Sequence, residues 1–437
     1  MDDGARILRQ ALDQIRLGPP LSNREGRLPH VAIYPIFQAR IQGGPPPLLT
    51  LSDGREGGAL IEEVSCEDAV RITNPLNVSL YGGESECLVG QTQNRALKHD
   101  VLIPPQTSRY ALVNCVERGQ PTRRGKPFAV DAVCPWSIRL DKMRQLARDG
   151  RIEQTRVWEQ VEVFLRRARV SSPTLDLCAA FERQGAEIDR AMKSFPCLPG
   201  QVGVVSAIGP NLYLDLFSEP EMLERRFHGI LASALVEGLA GFSDARVPPD
   251  VAQRALEDLL KGAEHRRSLR PRFSSRGDCD LLMWGREATA SAFVSGGEWR
   301  HLAAHRTPER LVTGGPEHAR DLDEARRQYF SENREWLRAM RDAYAPRRRS
   351  YGDRLADLSA SAATWRMQAR ALRQAAGPFP GHLIGIEEAD PEPDLVTAIE
   401  PGVIASAVAG RTSQVSADFS ADLLRAETRL DRLKIEN

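Results

Sequence analysis

Short apolar runs alternate with turn-forming residues from residue 29 to about residue 135. The runs are rich in Val, Ile, Leu and Tyr, and Gly, Pro, Asn and Asp bound them at hairpin-like intervals. They are HVAIYPIFQA, PLLTLSD, GGALIEEVS, AVRITNP, NVSLYGG, HDVLIPP and YALVNCVE. Many short strands joined by tight turns predict an antiparallel sheet, folded as a sandwich or an open barrel.

The periodicity becomes helical after Pro135 and later returns to strands. Apolar residues recur at helical spacing in SIRLDKMRQLARDG, EQTRVWEQVEVFLRRARV and residues 174–193. The next segment, QVGVVSAIGPNLYLDLFSEP, predicts a hairpin that turns at AIGPN. A proline-started helix, PEMLERRFHGILASALVEGLAG, follows it, and then a strand pair, CDLLMWG and ATASAFVSGGEWRHLAAH.

The two ends of the chain differ from this core. Residues 4–17 predict a short helix, and beyond residue 306 a charged helix has an apolar face of Phe330, Leu337, Met340 and Tyr344. Further helices are expected over about 353–375 and in SADLLRAETRLDRLKI. We therefore predict an α+β protein with three parts, which are an N-terminal helix and linker (1–24), a β-rich core domain (25–305) and a helical appendage (306–437).

Composition and charge exclude several classes of function. Lys+Arg and Asp+Glu both number 59 in 437 residues, so no bulk charge attracts nucleic acid or membrane, and neither is an expected partner. We interpret the basic runs HRRSLRPRF and APRRRS as solvated faces. The N-terminal segment lacks the apolar core of a signal peptide, and no window reaches the roughly 20 apolar residues of a membrane span. Seven scattered cysteines without a CxxC pair indicate reduced thiols and a cytoplasmic location.

One stretch, LYGGESECLVGQTQNRALKHD (80–100), concentrates polar chemistry within the predicted sheet. Alternation along a strand would place Gln93 and Arg95 on one face and Asn94 on the other, and would place Glu84 and Glu86 on a common face. A hairpin with an exposed ion pair and a ligand-facing pocket both fit these residue types. The spacing alone leaves the two interpretations open.

Four other residues could act in a site. Cys115 and Glu117 share a strand face, but a neighbouring carboxylate raises a thiol pKa, so a buried structural cysteine is the expectation. Asp215 follows an apolar strand and precedes a helix, where both capping and a site role are open. Arg139 falls in the first turn of a predicted helix, and its guanidinium suits phosphate or carboxylate recognition.

Common catalytic and cofactor motifs are absent from the sequence. It contains no GxGxxG after a strand, no GxxxxGK[ST], no HExxH and no GxSxG. His301 and His305 have i, i+4 spacing, but the pattern there predicts a strand passing into a loop, so we expect no metal site. We also expect no cofactor.

The order of these motifs resembles the ADP-ribosylglycohydrolase and rhodanese-phosphatase-associated protein domain. The resemblance covers about residues 30–305 and is most specific in the Gln-Asn-Arg element and the Asp-Leu-Phe turn. It places family positions on ten residues: Glu86, Gly90, Gln93, Asn94, Arg95, Cys115, Glu117, Arg139, Trp158 and Asp215. Three features depart from the family pattern: Ser85 stands where a glycine usually precedes the acid, QPTRR replaces an aromatic-basic element, and the chain after residue 306 has no counterpart.

The resemblance implies a role beside enzymes that handle ADP-ribose and other products of NAD. On this hypothesis Arg95 and Arg139 hold phosphates, Gln93 and Asn94 contact ribose or base edges, and Asp215 lines the site. Glu86 and Glu117 are then the candidate catalytic carboxylates of a hydrolase acting on an ADP-ribose-like compound. The alternative is a non-catalytic scaffold or ligand sensor, in which the polar motif is a structural network and the C-terminal helices bind a partner or a second copy.

Overall fold

The protein is described by a computed structural model, and its fold is α+β with mainly antiparallel sheets, as predicted. The structure describes residues 12, 14–22, 28, 30–38, 48–64, 68–119, 128–241, 243, 245–257, 265–308, 311–313, 316–350, 352, 353 and 356. No helix within these residues is both long enough and apolar enough to cross a membrane.

A nine-stranded antiparallel sheet forms the centre of the molecule. Its strands follow the order β1-β3-β13-β14-β19-β18-β17-β16, and β2 pairs with β3 at one side. The path is open, with β1 and β16 at its ends. The strands are β1 (Ile15–Leu17), β2 (Leu21–Ser22), β3 (Val31–Gln38), β13 (Gln201–Ile208), β14 (Asn211–Phe217), β16 (His265–Leu269), β17 (Cys279–Trp284), β18 (Ala288–Ser295) and β19 (Glu298–Arg306).

Smaller sheets are built from the first half of the chain. One has the order β12-β8-β9-β11-β6-β5 and the other β10-β7-β4, in which β4 and β7 are parallel. Their strands are β4 (Leu49–Thr50), β5 (Leu60–Glu63), β6 (Ala69–Asn74), β7 (Leu80–Gly82), β8 (Glu86–Val89), β9 (Arg95–Leu97), β10 (Val101–Ile103), β11 (Thr107–Cys115) and β12 (Ala129–Val133). A two-stranded ribbon pairs β15 (Ala245–Arg246) with β20 (Val312–Thr313).

Most of the described helices lie close to their predicted positions, but the helix at Leu51–Glu56 was expected to be a strand and the helix at Pro249–Glu257 was not predicted. They are α1 (Leu51–Glu56), α2 (Trp136–Asp149), α3 (Gln154–Arg167), α4 (Cys178–Met192), α5 (Pro220–Ala240), α6 (Pro249–Glu257), α7 (Pro316–Glu332) and α8 (334–350). Asn333 alone separates α7 from α8, and Leu337 donates its backbone N–H to the Asn333 carbonyl, so the two run on as one nearly continuous helix.

The large sheet is buried on both faces, which explains the near-continuous apolar run of β14. Tyr213 and Phe217 belong to the core that β14 shares with α2–α5. Leu214 and Leu216 belong to a second core on the opposite face, with residues of α6 and α7. Asp215 lies between them on the Tyr213 and Phe217 side, because successive side chains of a strand alternate in direction. It is an acid in the middle of a buried strand.

Residues after 306 pack against the core domain. The Trp336 ring meets Phe37 edge to face, with 5.3 Å between ring centroids. The Tyr344 hydroxyl donates to Glu224 Oε2 at 2.7 Å, and Arg347 Nε donates to Glu221 Oε1 at 2.6 Å. Both glutamates lie on α5. These contacts anchor α8 on the first turns of α5.

Several local predictions are wrong or lie outside the described residues. Residues 15–17 form a strand rather than the end of a helix, and the remaining residues of the expected N-terminal helix are mostly outside the described part. The PLLTLSD segment contains only a two-residue strand, because a capping box between Thr50 and Asp53 starts α1. The segments 357–375 and SADLLRAETRLDRLKI also lie outside the described residues, as does QPTRR.

Candidate functional site

A group of buried charged residues lies where the small β10-β7-β4 sheet meets the large sheet and helices α2 and α5. Five of its residues lie in β strands or adjoining turns, and each helix adds one arginine. We call these residues the charged cluster: Glu84, Glu86, Asp100, Arg139, Asp215, Arg226 and His301. All seven are buried, although the Glu84 side chain keeps 11% of its exposure.

Arg139 is held by two carboxylates. Its Nη1 and Nη2 donate to the two oxygens of Asp215 at 3.0 and 2.6 Å, and its Nε donates to Glu84 Oε1 at 2.7 Å. The guanidinium also lies 3.8 Å from the centre of the Trp136 ring. Burial alone would raise the pKa of Asp215, but Arg139 and His301 outweigh it and hold that pKa well below the usual range. Asp215 therefore remains ionised.

His301 joins the two sides of the cluster. Its Nδ1 lies 3.1 Å from Asp100 Oδ1 and its Nε2 lies 3.2 Å from Asp215 Oδ1, while its ring stacks on Phe217. Burial would lower the His301 pKa, but the two carboxylates raise it to about 9. The imidazolium form can donate at both nitrogens. Asp100 also accepts a hydrogen bond from the Tyr81 hydroxyl.

Glu86 and Arg226 form a looser pair within the same cluster. Glu86 Oε2 accepts the Gly83 backbone N–H at 2.9 Å and lies 3.6 Å from Arg226 Nη1. Burial raises the pKa of Glu86, against the lowering effects of Arg226 and Gly83. Within the described part of the chain, the Nε and Nη1 atoms of Arg226 have no hydrogen-bond partner. This pair therefore combines a carboxyl group whose pKa is raised by burial with buried guanidinium N–H groups that have no hydrogen-bond partner among the described residues.

Gly83 makes room for the Arg226 guanidinium. A Cβ on Gly83 would lie 1.4 Å from Arg226 Nη1. The guanidinium also lies 5.4 Å from the centre of the Tyr81 ring and 5.8 Å from that of Phe217. The two aromatic rings and the Gly83 backbone, which carries no side chain, therefore fix the position of the guanidinium.

Ser85, between the two glutamates, adopts a left-handed backbone conformation with φ of 61°. Glycine adopts this conformation without steric cost, whereas a serine is strained in it. The Ser85 hydroxyl accepts a hydrogen bond from Lys142 Nζ at 2.8 Å, and Lys142 also donates to the Leu97 carbonyl. Burial lowers the pKa of Lys142.

The Gln-Asn-Arg element belongs to a second group, which we call the motif network. Gln93 Nε2 donates to the Gly119 carbonyl at 3.1 Å, and Asn94 Nδ2 donates to Asp176 Oδ1 at 3.0 Å. Arg95 Nη1 donates to the Cys115 thiol and Nη2 to Glu63 Oε1 at 3.3 Å. These bonds fix the β8–β9 connection.

Glu117, which lies two residues beyond the end of β11, also belongs to the motif network. It is fully buried; its Oε2 accepts the Asn94 backbone N–H at 3.1 Å and its Oε1 accepts the Thr174 hydroxyl at 2.6 Å. Residues 91–93 form a bend, with φ of 51° at Gln91, so the predicted alternation of faces holds only from Arg95 onward. Gln93 and Arg95 nevertheless meet at Cys115, whose thiol donates to Gln93 Oε1 at 3.5 Å.

The predicted site residues thus divide between two groups. Glu86, Arg139 and Asp215 lie in the charged cluster, whereas Gln93, Asn94, Arg95 and Glu117 lie in the motif network. Asp215 does not cap α5; it lies within β14, and Glu219 occupies the N-cap position without a side-chain bond. Arg139 recognises a carboxylate in bidentate geometry, one of the two partners expected for it.

Four residues of the two groups or their surroundings were not predicted as site residues from the sequence: Asp100, Lys142, Arg226 and His301. Arg226 was detectable, because α5 is apolar around most of its circumference and an arginine within it requires a buried partner. His301 and His305 lie in β19, and their side chains point to the same face, but each has its own partners: His305 Nε2 lies 3.1 Å from Asn211 Oδ1. Among the described residues no group of three or more His, Cys, Asp or Glu side chains could hold a metal ion.

Comparisons with known proteins identify one family. The family model of the ARG and Rhodanese-Phosphatase-superfamily-associated Protein domain matches residues 22–305, well over half of the 437 residues. The match includes every residue of the charged cluster and the motif network. No curated protein and no solved structure matches the chain. The chain belongs to the ARG and rhodanese-phosphatase-superfamily-associated protein domain family.

Proposed function

We propose that the charged cluster binds, and can process, an NAD-derived nucleotide of the ADP-ribose type. The observation that carries the proposal is the Glu86–Arg226 pair, in which a buried guanidinium keeps N–H groups without a partner among the described residues beside a carboxyl group of raised pKa. Such combinations of perturbed carboxyl groups and convergent polar groups are characteristic of ligand sites.

Arg226 would pair with a phosphate or ribose oxygen of the ligand. Its planar guanidinium suits oxyanions, and Tyr81 and Phe217 already hold it in place. The other arginines of the original hypothesis are occupied in this structure, since Arg139 pairs with Glu84 and Asp215, and Arg95 with Cys115 and Glu63. We therefore assign them to positioning rather than to direct phosphate contact.

Glu86 would bind the ligand in its protonated form. Protonation leaves three carboxylates in the cluster against two guanidinium groups and the His301 imidazolium, so an anionic ligand meets no excess of negative charge. A protonated Glu86 can also donate a proton to a leaving oxygen during glycosidic or phosphoester hydrolysis. Tighter binding at lower pH is the expected consequence, since the raised pKa of Glu86 controls this proton.

A thermal-shift panel tests the proposed ligand class. The full chain is heated with ADP-ribose, NAD, AMP, ribose 5-phosphate and nicotinamide, each over a concentration series. A ligand that binds only the folded state stabilises it by about 2.7 kcal/mol at 100 times its Kd. We expect ADP-ribose to raise the Tm and nicotinamide to leave it unchanged. The absence of a shift with every nucleotide would exclude the proposal.

A second candidate function, a non-catalytic scaffold, is favoured by the complete pairing of Arg139. That side chain is 1% exposed, and all three of its guanidinium nitrogens donate to carboxylates. A wholly structural cluster would stabilise the junction between the sheets and need no ligand. Substitution of Arg226 distinguishes the two functions, because a scaffold loses stability whereas a ligand site also loses affinity.

A further inference from the structure

A groove lined by arginines lies outside the charged cluster and the motif network. It has a volume of about 740 Å³ and runs along α7 and α8, opposite the Leu198–Pro199 loop and the end of β3. Five arginines line it, and all five are exposed: Arg326, Arg327, Arg334, Arg338 and Arg341. No acidic residue lines the groove among the residues that the structure describes. We call this feature the arginine groove.

Most of the groove arginines can bind an anion from outside the described fold. Arg341 pairs with the exposed Asp342 beside it. Within the described residues, Arg326, Arg334 and Arg338 have neither an ion pair nor a side-chain hydrogen bond. Adjacent cations without counter-ions repel one another. A bound anion would therefore be attracted by the arginines and would also reduce their mutual repulsion.

The spacing of the charges indicates an extended ligand. Arg326 and Arg341 are fifteen positions apart on a nearly continuous helix, which corresponds to about 22 Å at 1.5 Å per residue. Phe330 and Leu337, both half-buried, lie between the arginines along the same side. A compact anion would neutralise only part of this row, whereas an extended acidic peptide with some apolar side chains would contact the arginines and the apolar floor together.

The chain itself contains a segment of this chemistry. Residues 387–400, EEADPEPDLVTAIE, hold six acidic residues and no basic residue, and Leu395, Val396 and Ile399 are apolar. The described part of the chain ends at residue 356, shortly after α8. The intervening 30 or so residues can span roughly 100 Å when extended, far more than the length of the groove.

We propose that the arginine groove is a binding site for acidic peptide and that its occupant is the acidic segment 387–400 of the same chain. A tethered segment acts at an effective concentration in the millimolar range, so modest intrinsic affinity is sufficient for occupancy. Nucleic acid suits the groove less well, because bases of single strands stack on exposed aromatic side chains, whereas of the two aromatic residues in this lining Phe37 is buried and Phe330 is half-buried.

A competition experiment on the full chain tests this site. The probe is a fluorescent synthetic peptide of residues 386–401, and binding is followed by anisotropy at low salt. In one variant the segment's own charges are removed by E387Q, E388Q, D390N, E392Q, D394N and E400Q. We expect this variant to bind the probe at least ten-fold more tightly than the wild type, because its own segment no longer competes.

Charge reversal in the groove supplies the second arm. Adding R326E, R334E and R338E to the segment-neutralised chain should weaken probe binding by at least ten-fold. The matched control adds R148E, R183E and R270E, which reverse three exposed arginines elsewhere and should leave binding unchanged. Circular dichroism of each variant verifies that it is folded.

Three outcomes would overturn the proposal. If the groove reversals leave probe binding intact, the site is elsewhere. If wild-type and segment-neutralised chains bind the probe equally, the chain's own segment is not the occupant and the groove serves an external acidic partner. If a 12-mer oligo-dT binds more tightly than the probe and the groove reversals abolish its binding, the site is for nucleic acid. Sedimentation distinguishes binding within one chain from exchange between two copies, because a dimer that segment neutralisation dissociates would place the segment in the groove of a second copy.

Discussion

Ser85 combines a strained backbone conformation with a buried hydrogen bond. The residue adopts a left-handed conformation, which costs a non-glycine residue on the order of 1 kcal/mol. Its hydroxyl accepts from the buried Lys142 ammonium, whose charge would otherwise lose a partner. We infer that this hydrogen bond compensates for the backbone strain.

Substitution of Ser85 should separate strain from hydrogen bonding. Ser85→Gly relieves the backbone but removes the acceptor, so we expect its free energy of unfolding to stay within about 1 kcal/mol of wild type. Ser85→Ala keeps the strain and also removes the acceptor, and should cost about 1–3 kcal/mol. Urea unfolding measures both. An alanine variant as stable as the glycine variant would contradict the proposed compensation.

Arg139 should be among the most sensitive residues of the molecule. Arg139→Ala leaves Glu84 and Asp215 buried without their cation, and breaking a buried pair in this way costs about 3–5 kcal/mol. Arg139→Lys keeps the charge but cannot reproduce the bidentate geometry, so we expect an intermediate loss. As a control, Arg166→Ala removes an exposed i, i+4 partner of Glu162 and should change stability by less than about 0.5 kcal/mol. Equal losses in all three variants would contradict this assignment.

The residue types predicted which chemical groups a side chain can bind better than they predicted which residues it contacts. Arg139 was expected to bind a carboxylate or a phosphate, but nothing in the local sequence indicates Asp215, which lies 76 positions away. His301 and Asp100 were missed because their pairing depends on the contact between two sheets, over a separation of 201 residues. Local periodicity carries no information on such contacts, since it reports only which side of an element a residue occupies.

At the scale of elements, the pairing of β14 with β19 places His301 between two acids of the cluster, Asp215 on β14 and Asp100. Phe217 and His301 are directly opposite in the antiparallel register, and Asp215 lies on the same face two residues earlier. Asp100 approaches from the segment that precedes β10. The imidazolium of His301 therefore joins the large sheet to the small one.

The charge on His301 should make the stability of this junction depend on pH. Its folded pKa of about 9 lies above the ordinary value of 6.5, so protonation favours the folded state. This contribution is fully present below pH 6.5 and is lost as the pH rises through about 9. The Tm difference between wild type and His301→Gln should therefore be largest near pH 6 and should shrink towards pH 9.5. A constant difference across that range would show that His301 is not protonated in the fold.

Many strand and helix identities followed from the sequence, but the identities of two segments did not. The β13–β14 hairpin and α5 were predicted because apolar runs, the Gly-Pro-Asn turn and the N-terminal proline all agree. The PLLTLSD segment was misassigned because the capping contacts of Thr50 and Asp53 outweigh strand-like composition. Residues 15–17 pair with β3, a tertiary contact that overrides the amphipathic helical pattern.

At the scale of the whole molecule, α8 packs on the core domain instead of standing apart from it. Tyr344 is buried, and its hydroxyl donates to Glu224 on α5. Arg347 and Arg348 pair with Glu221 and Glu224. The apolar face predicted from Phe330, Leu337, Met340 and Tyr344 accounts for this contact in part, since Met340 and Tyr344 are buried whereas Phe330 and Leu337 line the arginine groove.

Substitution of Tyr344 should destabilise the entire chain if α8 unfolds together with the core. Tyr344→Ala removes a buried ring and should cost about 3 kcal/mol. Tyr344→Phe removes only the hydrogen bond to a carboxylate and should cost about 1–2 kcal/mol. Urea unfolding followed by tryptophan fluorescence and by circular dichroism should give coincident transitions for both variants. Separate transitions would instead identify α8 as an independent unit.

The predicted three-part organisation and dimerisation through the C-terminal helices remain predictions. Composition changes beyond residue 306, and the family match ends at residue 305, so the core and the appendage differ in sequence character. The packing of Trp336 on Phe37 could not be foreseen, because a single aromatic residue on a charged helix does not specify its partner. Sedimentation of the wild-type chain measures the oligomeric state.

Calorimetric titration with ADP-ribose measures whether Arg226 and Glu86 form a site for an ADP-ribose-like ligand. Wild type is compared at pH 6 and 8 with Glu86→Gln, with Arg226→Gln/Glu86→Gln, and with an exposed control, Arg166→Gln/Glu162→Gln. The double substitution removes both partners of the pair, so neither Glu86 nor Arg226 is left buried without the other. We predict that Glu86→Gln keeps the affinity and loses its pH dependence, that the double variant binds at least ten-fold more weakly while still folded, and that the control matches wild type. A wild type that takes up no ADP-ribose, or a folded double variant that binds it unchanged, would contradict the account.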